Sequence, residues 1–485
     1  MNFPSSPSLA LLGALLALAC LLLPLPASAF APLPFGARHS PFPAPPPPPG
    51  LRPPPCTFSS LLSSPSDASS PSDAAADGSS SSSAPPSAPP SSISVNPLVA
   101  SVKMSKTVEV FGLVQSMKAA GERVTSLCVG EPDFPPPQAV LDAAVAAVRG
   151  GETRYTAVAG TSALRSAIAA DLLERKGTRY DAASEVLVSS GAKQSVFQAV
   201  LALCGPGDEV LIPAPYWPSY PEMVRLAGAT PVVVNTTLEK GFLLTPELLE
   251  PHLTERTKCL IFCNPSNPSG AVHPEPLMRR LAALLELHPR VAVVSDEIYE
   301  RLNYNPANPH VSFAALPGMF DRTITVNGFS KAYAMTGMRL GYACGPARLI
   351  KPCATIQSQL TSCASAVSQA AGVAALEEVR EQEMEANVEV MRGKRDYVCG
   401  RLAGIEGVRS YVPDGAFYVL PDVSAWFGGD DAGLCLELLR SKRLALVPGE
   451  SFGAKGCVRI SYATSMEELE EAMDKLEEFL EENRP

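Results

Sequence analysis

The chain has 485 residues, a formal net charge of −10, and 18% charged against 46% hydrophobic residues. That length exceeds one ordinary hydrophobic core and implies two or three domains. An acidic chain without a long basic run lacks the clustered Lys and Arg that nucleic acid requires, whereas small anionic ligands need only a few placed cations. Its 12 cysteines include no C-x-x-C pair and no Cys/His cluster at metal-ligand spacing. That pattern points to buried, unpaired thiols rather than a disulfide framework, and no metal is expected.

The first segment in chain order is a leader. Leu9–Leu23 is an apolar run, short for a membrane span, followed by Pro24, Pro26 and the small residues Ala27-Ser28-Ala29. Residues 1–29 therefore read as a signal peptide; the lack of Lys or Arg ahead of the run leaves a signal anchor as the other reading. Residues 30–92 hold no Asp or Glu before Asp67 but many Ser and Pro residues, with Arg38 and Arg52. That composition matches a transit peptide running into a Pro/Ser-rich linker that cannot bury enough apolar surface to fold. The junction A-S-A-F-A-P (Ala27–Pro32) resembles the bipartite presequences of algae with complex plastids. The resemblance implies the plastid stroma, with no membrane segment in the mature protein; the secretory pathway is the alternative. A stromal destination also agrees with unpaired thiols.

From Ile93 onward, short apolar runs alternate with helical segments. Strands are expected at Leu187–Ser189, Glu209–Ile212, Cys259–Cys263, Val291–Ser295, Ile324–Val326 and Gly341–Cys344, with a helix ending near Gly205. Apolar strands separated by helices predict an α/β fold with a mostly parallel sheet covered on both faces. The tail from Met466 has apolar residues at helical spacing and an acidic face, the pattern of a packed surface helix. The expected organisation is an N-terminal segment with part of a small domain over 93–138, a large domain over 139–385, and a small C-terminal domain over 386–485.

Chemistry-bearing residues fall mostly just after strand ends, the edge where ligands collect in an open parallel sheet. S-S-G-A-K-Q (Ser189–Gln194) is a strand-to-helix junction. Free N–H groups at Gly191 and Ala192, aided by the helix dipole, suit a phosphate. Neither the dinucleotide fingerprint nor the P-loop pattern is present. N-P-S-N-P-S-G (Asn264–Gly270) and S-D-E-I-Y (Ser295–Tyr299) follow strands and, taken alone, are a turn and an acidic strand end. In S-K-A-Y-A-M-T-G-M-R-L-G-Y (Ser330–Tyr342), Lys331 sits directly after a strand beside a hydroxyl donor. Burial near cations would lower its pKa, as a nucleophilic lysine needs, and the planar fork of Arg339 suits a phosphate. On spacing alone, a solvated lysine and a surface arginine are the preferred reading.

Together, in this chain order, the strings resemble the class I/II aminotransferases, the fold-type I pyridoxal phosphate enzymes, from about Asn96 to Phe479. The resemblance implies a large domain with a mostly parallel central sheet, a smaller α/β domain, and pyridoxal 5′-phosphate bonded to Lys331. It implies that Asp296 keeps the pyridine nitrogen protonated, that Tyr299 and Asn267 bind the phenolic oxygen, and that Trp217 stacks on the ring. Gly191, Ala192 and Arg339 would hold the phosphate, and Ser330 would also bind the cofactor. Tyr155 in R-Y-T (Arg154–Thr156) would reach the cofactor of a second subunit, which implies a homodimer with shared active sites. Arg459 in V-R-I-S-Y-A (Val458–Ala463) would grip the substrate α-carboxylate, with Gly130 in V-G-E-P-D-F closing over it. Small amino and oxo acids are the implied substrates.

Within the family the chain is similar to the bacterial-type aspartate aminotransferases and the plastid prephenate aminotransferases. Thr107 and Lys193 fall where prephenate-active members hold a Thr and a Lys, so Lys193 would pair with a distal carboxylate and Thr107 would add a hydrogen bond; a lysine bonding the helix start is the plainer reading. Met338 in place of the usual aromatic, Pro135-Pro136-Pro137 and Val110–Met117 depart from the family pattern and bear on the substrate entrance. Two rivals stand beside dual activity: an aspartate aminotransferase without prephenate activity, and a non-catalytic ligand-sensing protein on the same fold.

Overall fold

The computed structural model describes residues 94–102 and 106–484, without the side chains of residues 106–108 and of Phe111. The expected signal peptide (1–29), the transit and linker segment (30–92) and the side chain of Thr107 lie outside the described residues.

A one-turn helix α1 (Pro97–Ala100) leads to α2 (Lys106–Ala119), a two-residue strand β1 (Thr125–Ser126), α3 (Gln138–Arg149) and α4 (Ser162–Lys176). α4 begins where the Thr161 side chain accepts the Leu164 amide, and ends at Gly177 in the left-handed conformation at φ 66°. These are the two local devices that satisfy orphan backbone groups at helix ends. Its last turn carries Arg175 and Lys176, cations that the C-terminal dipole favours.

The main sheet comprises β2 (Val186–Ser189), β3 (Glu209–Ala214), β4 (Thr230–Asn235), β5 (Thr257–Cys263), β6 (Ala292–Asp296), β7 (Thr323–Gly328) and β8 (Gly341–Cys344). Their spatial order is β2-β8-β7-β6-β5-β3-β4, and only β8 runs antiparallel to its neighbours. The expected strands are all present with slightly different ends. β4, in T-P-V-V-V-N, was not among them: its side chains are only partly buried at the sheet edge, so it lacks the apolar run of a covered strand.

Helices α5 (Ala192–Leu203), α6 (Ser219–Leu226), α7 (Pro246–Leu249), α8 (Glu275–Glu286), α9 (Ala347–Leu360) and α10 (Ala366–Glu377) connect or flank these strands. Period-two alternation sorts the strand residues between the two faces. Val210, Ile212, Cys259, Ile261 and Val294 pack with α5, α6 and α9, while Leu211, Leu260, Phe262 and Val293 pack with α8. Each fully buried leucine on α8, such as Leu281 and Leu285, contributes about 1.5–3 kcal/mol of transfer free energy.

The rest of the chain contains α11 (Glu381–Ala403), β9 (Tyr418–Val419), α12 (Asp431–Lys442), β10 (Leu444–Ala445), β11 (Val447–Pro448), β12 (Val458–Ser461) and α13 (Met466–Glu482). α11 runs straight through the expected 385/386 border. β11, β12 and β9 form a small antiparallel sheet, and β1 pairs with β10. α13 is the expected tail helix; Leu469, Met473, Leu476 and Leu480 bury its apolar stripe against the same core as α11 and α12. Ten described cysteines are free. Among the described residues, no helix is long and apolar enough to cross a membrane.

Candidate active site

The carboxyl ends of β2, β5, β6 and β7 bring four of the sequence motifs, and that of β3 brings Trp217, to one edge of the sheet. Asp296 is the last residue of β6 and is buried. Burial raises its pKa, while the Tyr220 hydroxyl, the Ile298 amide and the charge of Lys331 oppose that rise. Tyr220 donates to Asp296 Oδ2 at 2.6 Å, and its ring meets Trp217 edge-on at 5.4 Å between centroids. Trp217 itself is half-buried, which leaves part of its ring exposed.

Lys331 follows β7 and donates its ammonium to the Gly130 carbonyl. Its Nζ lies 5.9 Å from the ring centre of Tyr299 and 5.7 Å from that of Phe417. Burial lowers its pKa to about 8; Arg459 and Arg339 push the same way, while Glu131 and Asp296 pull upward. A lysine in this state is a usable nucleophile and base near neutral pH.

At the head of α5, Gly191 has φ 94°, and a Cβ there would lie 2.5 Å from Arg339 Nη2. Only glycine leaves room for the guanidinium beside the helix start. Arg339 is exposed and donates to the Thr336 carbonyl at 2.8 Å. The expectation of a free Gly191 amide is corrected: the turn folds back so that this N–H donates to the Ser189 carbonyl at 2.8 Å. Ala192, the first residue of α5, opens the first turn of a helix whose dipole favours an anion. Ser330 is buried next to Lys331.

Arg459, on β12, crosses into the same site. It is 3% exposed, stacks on the rings of Tyr418 at 4.5 Å and Phe452 at 4.8 Å, and donates to Asn267 Oδ1 at 3.2 Å and to the Cys128 carbonyl at 2.5 Å. Its Nε is buried without a hydrogen-bond partner among the described residues. A buried guanidinium with no carboxylate against it is costly unless an anion arrives. Tyr418 also meets Tyr299, hydroxyl to hydroxyl, at 2.9 Å, and a Cβ on Gly130 would collide with the Tyr418 hydroxyl.

Lys193 is exposed with its ammonium 5.2 Å from the Trp217 ring centre. Partial desolvation and the neighbouring charge of Arg339 lower its pKa. Tyr155 stands apart at 90% exposed, on a segment held by Gln369, which donates to Thr156 at 3.0 Å, and by Gln357, which donates to the Val158 carbonyl at 2.6 Å.

Three residues of the site escaped the sequence reading. Tyr220 lies three residues after Trp217, in P-Y-W-P-S-Y (Pro215–Tyr220), and that spacing at a helix start could have found it. Phe417 and Tyr418 sit in G-A-F-Y-V, where nothing local separates a site residue from an ordinary core strand.

The family model for aminotransferase class I and II matches residues 122–476. The bifunctional aspartate aminotransferase and glutamate/aspartate-prephenate aminotransferase of Petunia hybrida is 50% identical over 399 residues, 80% of this chain and 83% of that protein. The aspartate aminotransferase of Pinus pinaster is 48% identical over 401 residues, 80% and 81% of the two chains. Among solved structures, the aspartate aminotransferase of Rhizobium meliloti superposes with a TM-score of 0.76 at 40% identity, covering 80% of this chain and 99% of its own. That of Thermus thermophilus with maleate gives a TM-score of 0.76 at 39% identity, covering 80% and 100%. The expected fold class is borne out, and the chain belongs to the class I and II aminotransferases, a pyridoxal phosphate-dependent family of enzymes.

Proposed function

We propose that this enzyme holds pyridoxal 5′-phosphate through Lys331 and moves amino groups between aspartate or glutamate and oxo acids, accepting both 2-oxoglutarate and prephenate in plastid amino-acid biosynthesis. The observation that carries the reading is the convergence of Lys331, Asp296 and Arg459 on one site, with Arg459 buried and its Nε without a partner among the described residues. The Petunia relative, whose name states both activities, supports the two acceptors.

The residues present fit the cofactor. A glycine beside an exposed arginine at a helix start matches a phosphate, and a buried acid joined through Tyr220 to a half-buried indole matches a protonated ring nitrogen. When bound, the group supplies an electron sink for the carbanion formed at the substrate Cα. Arg459 binds the substrate α-carboxylate through two parallel hydrogen bonds, and the Gly130 amide closes over it. Lys331 Nζ removes the Cα proton as general base and returns a proton as general acid; its lowered pKa keeps a working fraction neutral. Asp296 holds positive charge on the ring nitrogen, Tyr299 and Asn267 donate to the phenolic oxygen, and Gly191, Ala192 and Arg339 surround the phosphate, with Ser330 also binding the cofactor. Trp217 offers its face to the ring. Lys193 and Thr107 meet a distal carboxylate, which aspartate, glutamate and prephenate share. Tyr155, projecting from its segment, reaches the cofactor of a second copy, so the enzyme works as a homodimer. The leader composition supports plastid delivery.

Steady-state kinetics with aspartate as donor, comparing prephenate with 2-oxoglutarate, tests the acceptor range. No turnover of prephenate removes dual activity and leaves a plain aspartate aminotransferase, the reading that the name of the Pinus relative favours. Lys331→Ala should abolish transamination and remove the absorption band of the lysine imine from protein incubated with pyridoxal phosphate.

A further inference from the structure

The turn after β6 has two faces. Asp296 and Tyr299, three residues apart, face the site through Tyr220 and Tyr418. Glu297 and Glu300, at the same spacing, are also buried but meet different partners. Glu297 Oε1 accepts from Ser295 Oγ at 2.9 Å, Ser312 Oγ at 2.9 Å and the Phe313 amide at 3.2 Å. Glu300 pairs with Arg175 at 2.8 Å and Lys176 at 2.7 Å, the last two residues of α4, with Arg301 Nε at 3.9 Å. Asp171 completes the cluster, 2.6 Å from Arg175 and 3.1 Å from Arg301.

The cluster is ordered by chemistry as well as by charge. Lys176 Nζ lies 3.0 Å from His310 Nδ1. An ammonium can only donate, so Nδ1 accepts and the ring proton sits on Nε2, 3.8 Å from Glu297 Oε2. Although burial works to raise it, the cations Lys176, Arg175 and Arg301 hold the Glu300 carboxyl well below the usual range, while burial keeps His310 neutral. Burial pushes Glu297 up to about 7, against Lys176 and its three donors. Arg301 continues the cluster to the Lys331 loop, lying 5.6 Å from the ring centre of Tyr333, and reaches Glu381 at 3.0 Å on the outer side.

We propose that Glu297, Glu300, Arg175 and Lys176 form a positioning network that sets the register of Asp296 and Tyr299, so that charges behind the turn govern how tightly the cofactor is held. The inference rests on the proposed function, since it concerns the same site. Its physical basis is rigidity. A buried carboxylate satisfied by several fixed cations has one low-energy geometry, and the residues on either side of it in the turn inherit that geometry. Removing the carboxylate leaves Lys176 without a carboxylate and Arg175 held by Asp171 alone, so the turn relaxes, and a shift of about 1 Å at a reacting site is expensive.

The test uses the full chain, with pyridoxal phosphate itself as probe. Its dissociation constant and the pH midpoint of its visible band are measured for the parent, Glu300→Gln and Lys176→Met. Glu300→Gln should weaken cofactor binding roughly tenfold or more, as loss of a supporting partner does at other prosthetic sites. The band midpoint should move by about half a unit as Tyr299 and Asp296 shift. Lys176→Met keeps the Arg175–Glu300 pair and should move both readouts the same way by less; Glu300→Asp should recover part of the loss. Folded variants with the parent's constant and midpoint, even if they melt earlier, overturn the positioning role. If Glu300→Gln fails to fold, Lys176→Met alone decides. A parent that shows no visible band with pyridoxal phosphate removes the functional reading and this inference with it; a parent with the band and unaltered variants removes the inference alone.

Discussion

The hydroxyl of Tyr220 donates to Asp296 Oδ2 at 2.6 Å, joining the start of α6 to the end of β6 inside the buried floor of the site. Asp296 is a carboxylate pushed toward its neutral form by burial, and this bond is among the interactions that keep it charged. An ionised Asp296 is what a protonated ring nitrogen requires.

Tyr220→Phe removes that donor, so the Asp296 pKa rises further and its charged fraction falls first at the acid end. A hydrogen bond to a charged group contributes about 1.5–3 kcal/mol, so kcat/KM should drop roughly tenfold to a hundredfold. The acid limb of the pH–rate profile should move upward. An unchanged acid limb would refute the role given to Tyr220.

Lys331 sets a second pH dependence. Its pKa in the fold is about 8 against an ordinary 10.5. In the cofactor-free protein, capture of pyridoxal phosphate should therefore accelerate as pH rises through about 8, followed as growth of the visible band. Between about 8 and 10.5 the unfolded chain holds this proton and the folded chain has lost it, so stability gains with pH across that window. Lys331→Met, which buries no ammonium, should melt above the parent at pH 7, and the gap should narrow toward pH 10.5.

Gly191→Ala places a methyl group 2.5 Å from Arg339 Nη2 on a backbone at φ 94°. Strain of about 1–3 kcal/mol is expected, together with displacement of the guanidinium. Weaker binding of pyridoxal phosphate than of pyridoxal, relative to the parent, would mark the loss as one at the phosphate. Equal weakening of both would point to general distortion.

Arg459→Lys keeps the charge and loses the plane. A guanidinium stacked between Tyr418 and Phe452 presents a fixed fork that an ammonium cannot reproduce. The KM for aspartate should rise by roughly one to two orders of magnitude, in line with about 1.5–3 kcal/mol for a charge-assisted bond. Steady-state kinetics in both directions check it, and an unaffected KM would remove Arg459 from the substrate side.

The strand-end motifs were legible because each joins an apolar run to a short polar string, and local sequence carries both parts. Glu297 lies inside S-D-E-I-Y and Glu300 directly follows it, yet nothing in that stretch says which carboxylates face the ligand. That depends on α4, whose Arg175 and Lys176 precede them by more than a hundred residues. β4 was missed because edge burial is partial, and Tyr418 because an alternating strand does not announce which neighbour it will meet.

By itself the sequence determined the α/β architecture, the family and the residue types available at the site, since periodicity and motif spacing are properties of contiguous chain. Only the tertiary structure decided which groups share a charge environment. The lowered pKa of Lys331, the stacked and partly unpartnered Arg459, the Tyr220–Asp296 bond and the charged back of the β6 turn all arise between distant segments. Desolvation and Coulomb energy depend on distance in space, which the order of residues along the chain does not state.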